Sequence, residues 1–161
     1  MGELTHLDQH GLPRMVDVGA KAVTGRRAVA AATLVVGEAI MAALRGGRTP
    51  KGNALEVARL AGIGAAKRTA ELIPLCHHVP LDHVSVDFHL AEEAIHIRGE
   101  VTATGKTGVE MEALTAVAVA GLTLYDMLKA LGKGMVLQNL RLLRKEGGKS
   151  GVWEREDEHG W

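Results

Sequence analysis

Asp126 and Lys129 stand three positions apart in an apolar stretch that contains Leu122, Leu124, Met127, Leu128 and Leu131. At that spacing on a helix a carboxylate and an ammonium share one face. On a protein surface this is a routine ion pair. Set among leucines, a buried pair is costly unless it has a use, which gives weight to a role in acid–base chemistry. Glu110 and Glu112 lie near the start of the same stretch, where glutamates ordinarily complement the helix dipole. Fourteen residues separate Glu112 from Asp126, about 21 Å along an unbroken helix at 1.5 Å per residue. One small ligand could not readily touch both within one chain. If both ends are functional, the site is built from two chains.

Gly105-Lys106-Thr107 sits between a strand pattern and this helix, where a P-loop would place a phosphate. P-loop spacing requires a glycine at position 100, but that residue is Glu100, and Gly99 misses by one. The preceding hairpin also lacks the parallel context, and both features weigh against a nucleoside triphosphatase loop. Backbone N–H groups at the helix start, with Lys106, can still hold an anion; a glycine turn with a solvated lysine explains the string equally well. Cys76, His77, His78 and His83 have metal-ligating side chains, but no CxxC or HxxxH spacing accompanies them. Between Pro74 and Pro80 a histidine is better read as a hydrogen-bond donor or proton carrier. His83, His89 and His96 read as the solvated face of a hairpin.

The elements that must position these residues follow from periodicity. Val84, Val86, Phe88 and Leu90 alternate with His83, Ser85, Asp87 and His89, which predicts a strand over 82–90; Ile95, Ile97 and Val101 predict its hairpin partner. The run 26–36 carries alanines that favour helix and a Thr-Leu-Val-Val end that favours strand; the strand reading is preferred. A short strand is expected at 15–18, a short helix at 38–45 and a helix at 53–72 that Gly62 and Gly64 kink or interrupt. A long buried helix at 109–131 and a last strand at 135–143 complete the set. This order is the split βαβ arrangement of an α+β ferredoxin-like sandwich, an antiparallel sheet with helices packed on one face. Its other face must be polar or covered in an oligomer. Residues 1–14 read as a flexible N-terminal arm, 15–147 as a single domain, and 148–161 as a mostly disordered tail.

Composition narrows the function classes. The 161 residues carry 19 basic and 19 acidic side chains and only 2% aromatics, which argues against nucleic-acid binding through bulk basicity or base stacking. No apolar run is read as approaching the roughly 18–20 residues of a membrane span, and the N-terminus lacks the layout of a secretory signal. One cysteine excludes an intrachain disulfide framework. A soluble cytoplasmic protein is expected. Glycine is abundant, at 20 residues, which lets elements, or backbone and ligand, approach closely.

The strings MVDVGAKAVTGR, ARLAGIGAAKRTAELIPLCHH, TGKTGVEMEALTAVAVAGLTLYDMLKA and RLLRKEGGKSG resemble the molybdenum cofactor biosynthesis protein C family, the cyclic pyranopterin monophosphate synthases. The resemblance spans residues 4–151 and departs from the family pattern at His78, where LCHP is usual, and at Asn53, where KGD is common. It implies a lyase that converts 3′,8-cyclo-7,8-dihydro-GTP, made by a radical cyclase one step earlier, to cyclic pyranopterin monophosphate with release of pyrophosphate. It also implies a ferredoxin-like subunit in a homohexamer, a trimer of dimers, with the site between subunits. By resemblance Asp126 is the catalytic carboxylate, Lys129 its partner and Lys51 a further catalytic residue. Leu75, Cys76 and His77 form one substrate-binding segment and Met111 and Glu112 another, with Arg26 also in the site. No redox cofactor is implied; a Mg²⁺ carried by the substrate triphosphate is compatible with the chemistry. Several lysines facing one pocket are expected to depress one another's pKa, giving a neutral amine as base. The backbone of Cys76, rather than its sulfur, is expected to contact substrate. The alternatives are a guanine-nucleotide-binding regulatory module without turnover and a structural scaffold.

Overall fold

The computed structural model describes residues 6–156. Five strands, β1 (Thr24–Val35), β2 (Leu81–Leu90), β3 (Ala94–Gly105), β4 (Val136–Glu146) and β5 (Trp153–Glu154), form one sheet in the order β2-β3-β1-β4-β5, with every pairing antiparallel. Four helices complete the described residues: α1 (Glu38–Arg45), α2 (Ala54–Ala66), α3 (Thr69–Leu72) and α4 (Glu110–Leu128). The order of β1 to β4 is that of a split βαβ sandwich, so the α+β ferredoxin-like architecture is the observed one.

The ambiguous alanine-rich run is the central strand. Ala28 to Leu34 are all buried, because β1 is flanked by β3 and β4 and its short side chains leave room for the neighbours' longer ones. Tertiary position overrides the helix preference of alanine here. Val86, Ile95, Ile97 and Val101 point into the core against Ala113, Val117, Ala120 and Leu124 of α4. By length and composition α4 could cross a membrane, contrary to the sequence reading, but ten of its residues are buried in this fold. The outer face of the sheet is polar. Arg27 bridges Glu100 and Glu146 at 2.7 and 2.8 Å, Arg144 reaches Glu146 and Glu154, and Thr33 Oγ1 lies 3.0 Å from His96 Nδ1. The Arg27 guanidinium holds Glu100 below the usual carboxylate range.

Several boundaries differ from the sequence expectation. Residues 15–18 form no strand; the Val16 carbonyl accepts from His77 instead of entering a ladder. The helix expected over 53–72 is two helices, broken at Lys67–Arg68, where buried Thr69 Oγ1 donates to the carbonyls of Ala65 and Ala66. Neither Gly62 nor Gly64 interrupts α2. Gly62 is where α2 meets α4: a Cβ there would lie 2.8 Å from the Ala116 carbonyl oxygen and 3.0 Å from Val86 Cγ2. Asn53 caps α2, its side chain accepting from Glu56 N at 3.2 Å, so the departure from KGD keeps the capping chemistry. α4 ends at Leu128 rather than 131, while β3 and β4 run on to Gly105 and Glu146. Within the expected arm, Leu7 and Pro13 form a bridge. Within the expected disordered tail, Trp153 and Glu154 pair with Lys145 and Arg144; positions 157–161 of that tail and 1–5 of the arm lie outside the described residues.

Candidate active site

The buried stripe of α4 runs through Ala113, Ala116, Val117, Ala120, Leu124 and Leu128. At 100° per residue Asp126 and Lys129 fall on the opposite side. Both are exposed, so the leucines around them in sequence do not surround them in space, which corrects the expectation of a buried pair. A third group completes the cluster. Lys51, on the turn between α1 and α2, places Nζ 2.7 Å from Asp126 Oδ2, while Lys129 Nζ lies 2.7 Å from Oδ1. The hydrogen bonds from Lys129 and then Lys51 bring the Asp126 carboxyl down to about 2. The same contact raises Lys129. This reverses the expected depression for Lys129: a carboxylate bonded to the amine outweighs repulsion from a second lysine across it. The cluster is therefore an ionised carboxylate clamped between two amines, able to carry protons and to stabilise developing charge.

The other end of α4 holds a different environment. Glu112 is 3% exposed; its Oε1 accepts from Cys76 Sγ at 3.7 Å and its Oε2 is buried with no partner. Burial pushes the Glu112 carboxyl up. Burial first, and then the nearby Glu112 charge, push the Cys76 thiol up to about 11. Such a thiol is a poor nucleophile at neutral pH. His77 Nε2 donates to the Val16 carbonyl at 2.6 Å, which fixes the proton on that nitrogen and ties the segment before β1 to the Pro74–Pro80 loop. Leu75 precedes Cys76 in that loop, and Met111 lies on the first turn of α4, 37% exposed beside buried Glu112.

Next to this loop opens a cavity of about 720 Å³, lined by Lys21, Arg26, Lys106 and Lys149 together with Thr107 and Ser150. Among the described residues no carboxylate lines it. A smaller cavity of about 290 Å³, lined in part by His77 and His78, shares Lys106 and Thr107 with it. Arg26 Nη2 donates to the Lys106 carbonyl at 3.2 Å, and Lys106 Nζ donates to the Gly19 carbonyl at 2.6 Å. Four cations around one concavity attract an anion with several negative charges, such as a phosphate chain. Lys106 thus belongs to a basic wall rather than to a simple solvated turn.

The nine residues named from the sequence fall into two groups. Asp126, Lys129 and Lys51 meet at one end of α4; Leu75, Cys76, His77, Met111, Glu112 and Arg26 gather around the other. One chain does not unite them. Lys21, Lys149 and Ser150 were not singled out, although GAKAVTGR and GGKSG carry the signal: lysines beside glycines and hydroxyls, with no acidic residue among them. Among the described residues no group of three His, Cys, Asp or Glu side chains is arranged to hold a metal ion.

Comparison with known proteins converges on one family. A model described as the MoaC family matches residues 15–148. The chain is 54% identical over 154 residues to cyclic pyranopterin monophosphate synthase of Novosphingobium aromaticivorans, covering 96% of this chain and 98% of that protein. It is 56% identical over 155 residues to the protein of the same name from Chloroflexus aurantiacus, with 95% of each covered. Cyclic pyranopterin monophosphate synthase 2 of Mycobacterium tuberculosis is 53% identical over 154 residues, 96% of this chain and 92% of that protein. With the family pattern spanning both ends of α4 and the loops that face them, this chain belongs to the MoaC family.

Proposed function

We propose that the protein is a cyclic pyranopterin monophosphate synthase of molybdenum cofactor biosynthesis, a lyase that converts 3′,8-cyclo-7,8-dihydro-GTP to cyclic pyranopterin monophosphate and pyrophosphate. The observation that carries this reading is a pair of complementary centres on one family scaffold. One is a carboxylate clamped by two lysines, and the other is a basic cavity that no carboxylate lines among the described residues. The rearrangement needs proton transfers at several ring atoms, the opening of one ring and attack of a ribose hydroxyl on the α-phosphorus, which expels pyrophosphate. Asp126, Lys51 and Lys129 supply the proton transfers. Arg26, with Lys21, Lys106 and Lys149, holds the phosphates and offsets the charge that builds on the departing pyrophosphate. Leu75, Cys76 and His77 bind substrate with Met111 and Glu112, and Cys76 acts through its backbone. Any Mg²⁺ arrives on the triphosphate.

The working enzyme is a homohexamer, a trimer of dimers, in which the acid–base end of one chain faces the phosphate end of another. Two features support that arrangement: about 21 Å of helix between the ends, and the exposure of Val57, Leu60 and Leu122 on the outer helices. The protein takes its substrate in the cytoplasm from a radical cyclase.

Purified 3′,8-cyclo-7,8-dihydro-GTP incubated with wild type and with Asp126→Ala, following pyrophosphate and pyranopterin together, tests the reading. Product from wild type alone supports it. Product from both removes Asp126 from the chemistry, and binding without turnover by the folded wild type refutes the synthase assignment.

A further inference from the structure

Arg26 is held without a carboxylate. Among the described residues none forms an ion pair with it, its Nε is buried with no partner, and one hydrogen bond, from Nη2 to the Lys106 carbonyl, orients it. What confines the guanidinium on its other side is backbone. After β4 the chain turns through Gly147 and Gly148, both in the left-handed region at φ +96 and +77. Consecutive left-handed residues are routine only for glycine. This turn lays the chain directly on Arg26. A Cβ on Gly147 would overlap the Gly25 carbonyl oxygen and lie 3.1 Å from Arg26 Cδ. A Cβ on Gly148 would overlap Arg26 Nη1 and lie 3.0 Å from Cζ.

We propose that the Gly147–Gly148 turn is a positioning element for substrate: by its lack of side chains it fixes the Arg26 guanidinium, still carrying an uncompensated charge, at the wall of the basic cavity. The inference rests on the reading of that cavity as the phosphate end of the site. A carboxylate would hold Arg26 equally well but would neutralise it and repel phosphate. Two glycines achieve the same confinement by shape alone. Any side chain at 148 must push the guanidinium away, and the loss falls on phosphate binding and leaves the Asp126 end untouched.

Gly151 provides a matched control, because it is also left-handed, at φ +61, with nothing within 4 Å of an added Cβ. The test uses the full-length protein as wild type, Gly148→Ala, Gly151→Ala, Arg26→Ala and Arg26→Ala/Gly148→Ala. It measures kcat and KM for 3′,8-cyclo-7,8-dihydro-GTP, inhibition by inorganic pyrophosphate, and thermal unfolding. Loss of a charge-assisted contact predicts a roughly tenfold rise in KM and in the pyrophosphate inhibition constant for Gly148→Ala, with kcat within about twofold. Gly151→Ala leaves all three unchanged. In the Arg26→Ala background Gly148→Ala adds nothing to KM or to the pyrophosphate inhibition constant, because the atom it would strike is gone, and the strain of an alanine at φ +77 shows only in thermal unfolding. Wild-type constants for Gly148→Ala, beside an effective Arg26→Ala, overturn the positioning role alone. An equal penalty in both backgrounds also overturns it, since the turn then acts through the fold. Silence of Arg26→Ala itself removes the phosphate reading of the cavity and the proposal with it. Should Gly148→Ala not fold, recovery of folding in the double variant supports the clash with Arg26, and failure of both refutes it.

Discussion

A site divided between chains has a quantitative signature in mixed oligomers. Fourteen positions of α4, about 21 Å, separate Asp126 from Glu112, so under the proposed arrangement each chain would contribute opposite ends to two different sites. Asp126→Ala disables one end, and the double variant Arg26→Ala/Lys106→Ala disables the other. When subunits of the two inactive proteins are exchanged at equal concentration, each site draws its Asp126 from one chain and its Arg26 from another. The chance that both are native is one half times one half, so kcat/KM returns to about a quarter of wild type. Exchange by denaturation and refolding, checked by mass spectrometry of differently tagged subunits, followed by pyrophosphate release at low substrate, makes the measurement. Simple mixing without exchange stays at the parental mean. If exchanged hetero-oligomers also stay at that mean, no site combines residues from two chains, and the division inferred from the helix length is wrong.

Two further outcomes follow from local geometry. With its thiol pushed up to about 11, Cys76 should react with iodoacetamide about 100-fold more slowly than an unperturbed cysteine at neutral pH, with the rate climbing steadily as pH rises towards that value; alkylation at the free-cysteine rate at neutral pH would contradict its burial against Glu112. Gly64→Ala should raise stability, whereas Gly62→Ala should not. Both gain about 1 kcal/mol of helix propensity, but only at 62 does the new Cβ strike the Ala116 carbonyl and Val86, an overpacking cost of about 1–3 kcal/mol. Thermal unfolding should show Gly64→Ala raised and Gly62→Ala unchanged or lowered, and a higher midpoint for Gly62→Ala than for Gly64→Ala would refute the close helix approach.

Much of the architecture was legible in the sequence because it is written in short-range periodicity. The alternation around Val86 and Ile97 identified the hairpin, and the apolar run after Gly108 identified the long helix, since each needs only the side-chain repeat of its own element. The pairing of Asp126 with Lys129 was legible for the same reason, being a contact between successive turns. Lys51 entered through family resemblance alone, because the contact that brings it to Asp126 spans 75 residues and leaves no local spacing. Gly62 was misread for a related reason. A glycine in a helix looks like a weak point until the partner helix that needs its missing side chain is in place.

By itself, the sequence determined the β2–β3 hairpin, the long helix α4, and which charged residues sit at the two ends of that helix, because these depend on residue type and spacing along the chain. Tertiary structure alone decided that Asp126 is exposed and clamped by two lysines, that Lys129 is raised rather than lowered, and that Lys21, Arg26, Lys106 and Lys149 surround one cavity. Burial, pKa and charge convergence are properties of the neighbours that folding brings from distant positions, and hydrophobic neighbours in sequence are no guide to them when a helix turns those residues to its opposite side.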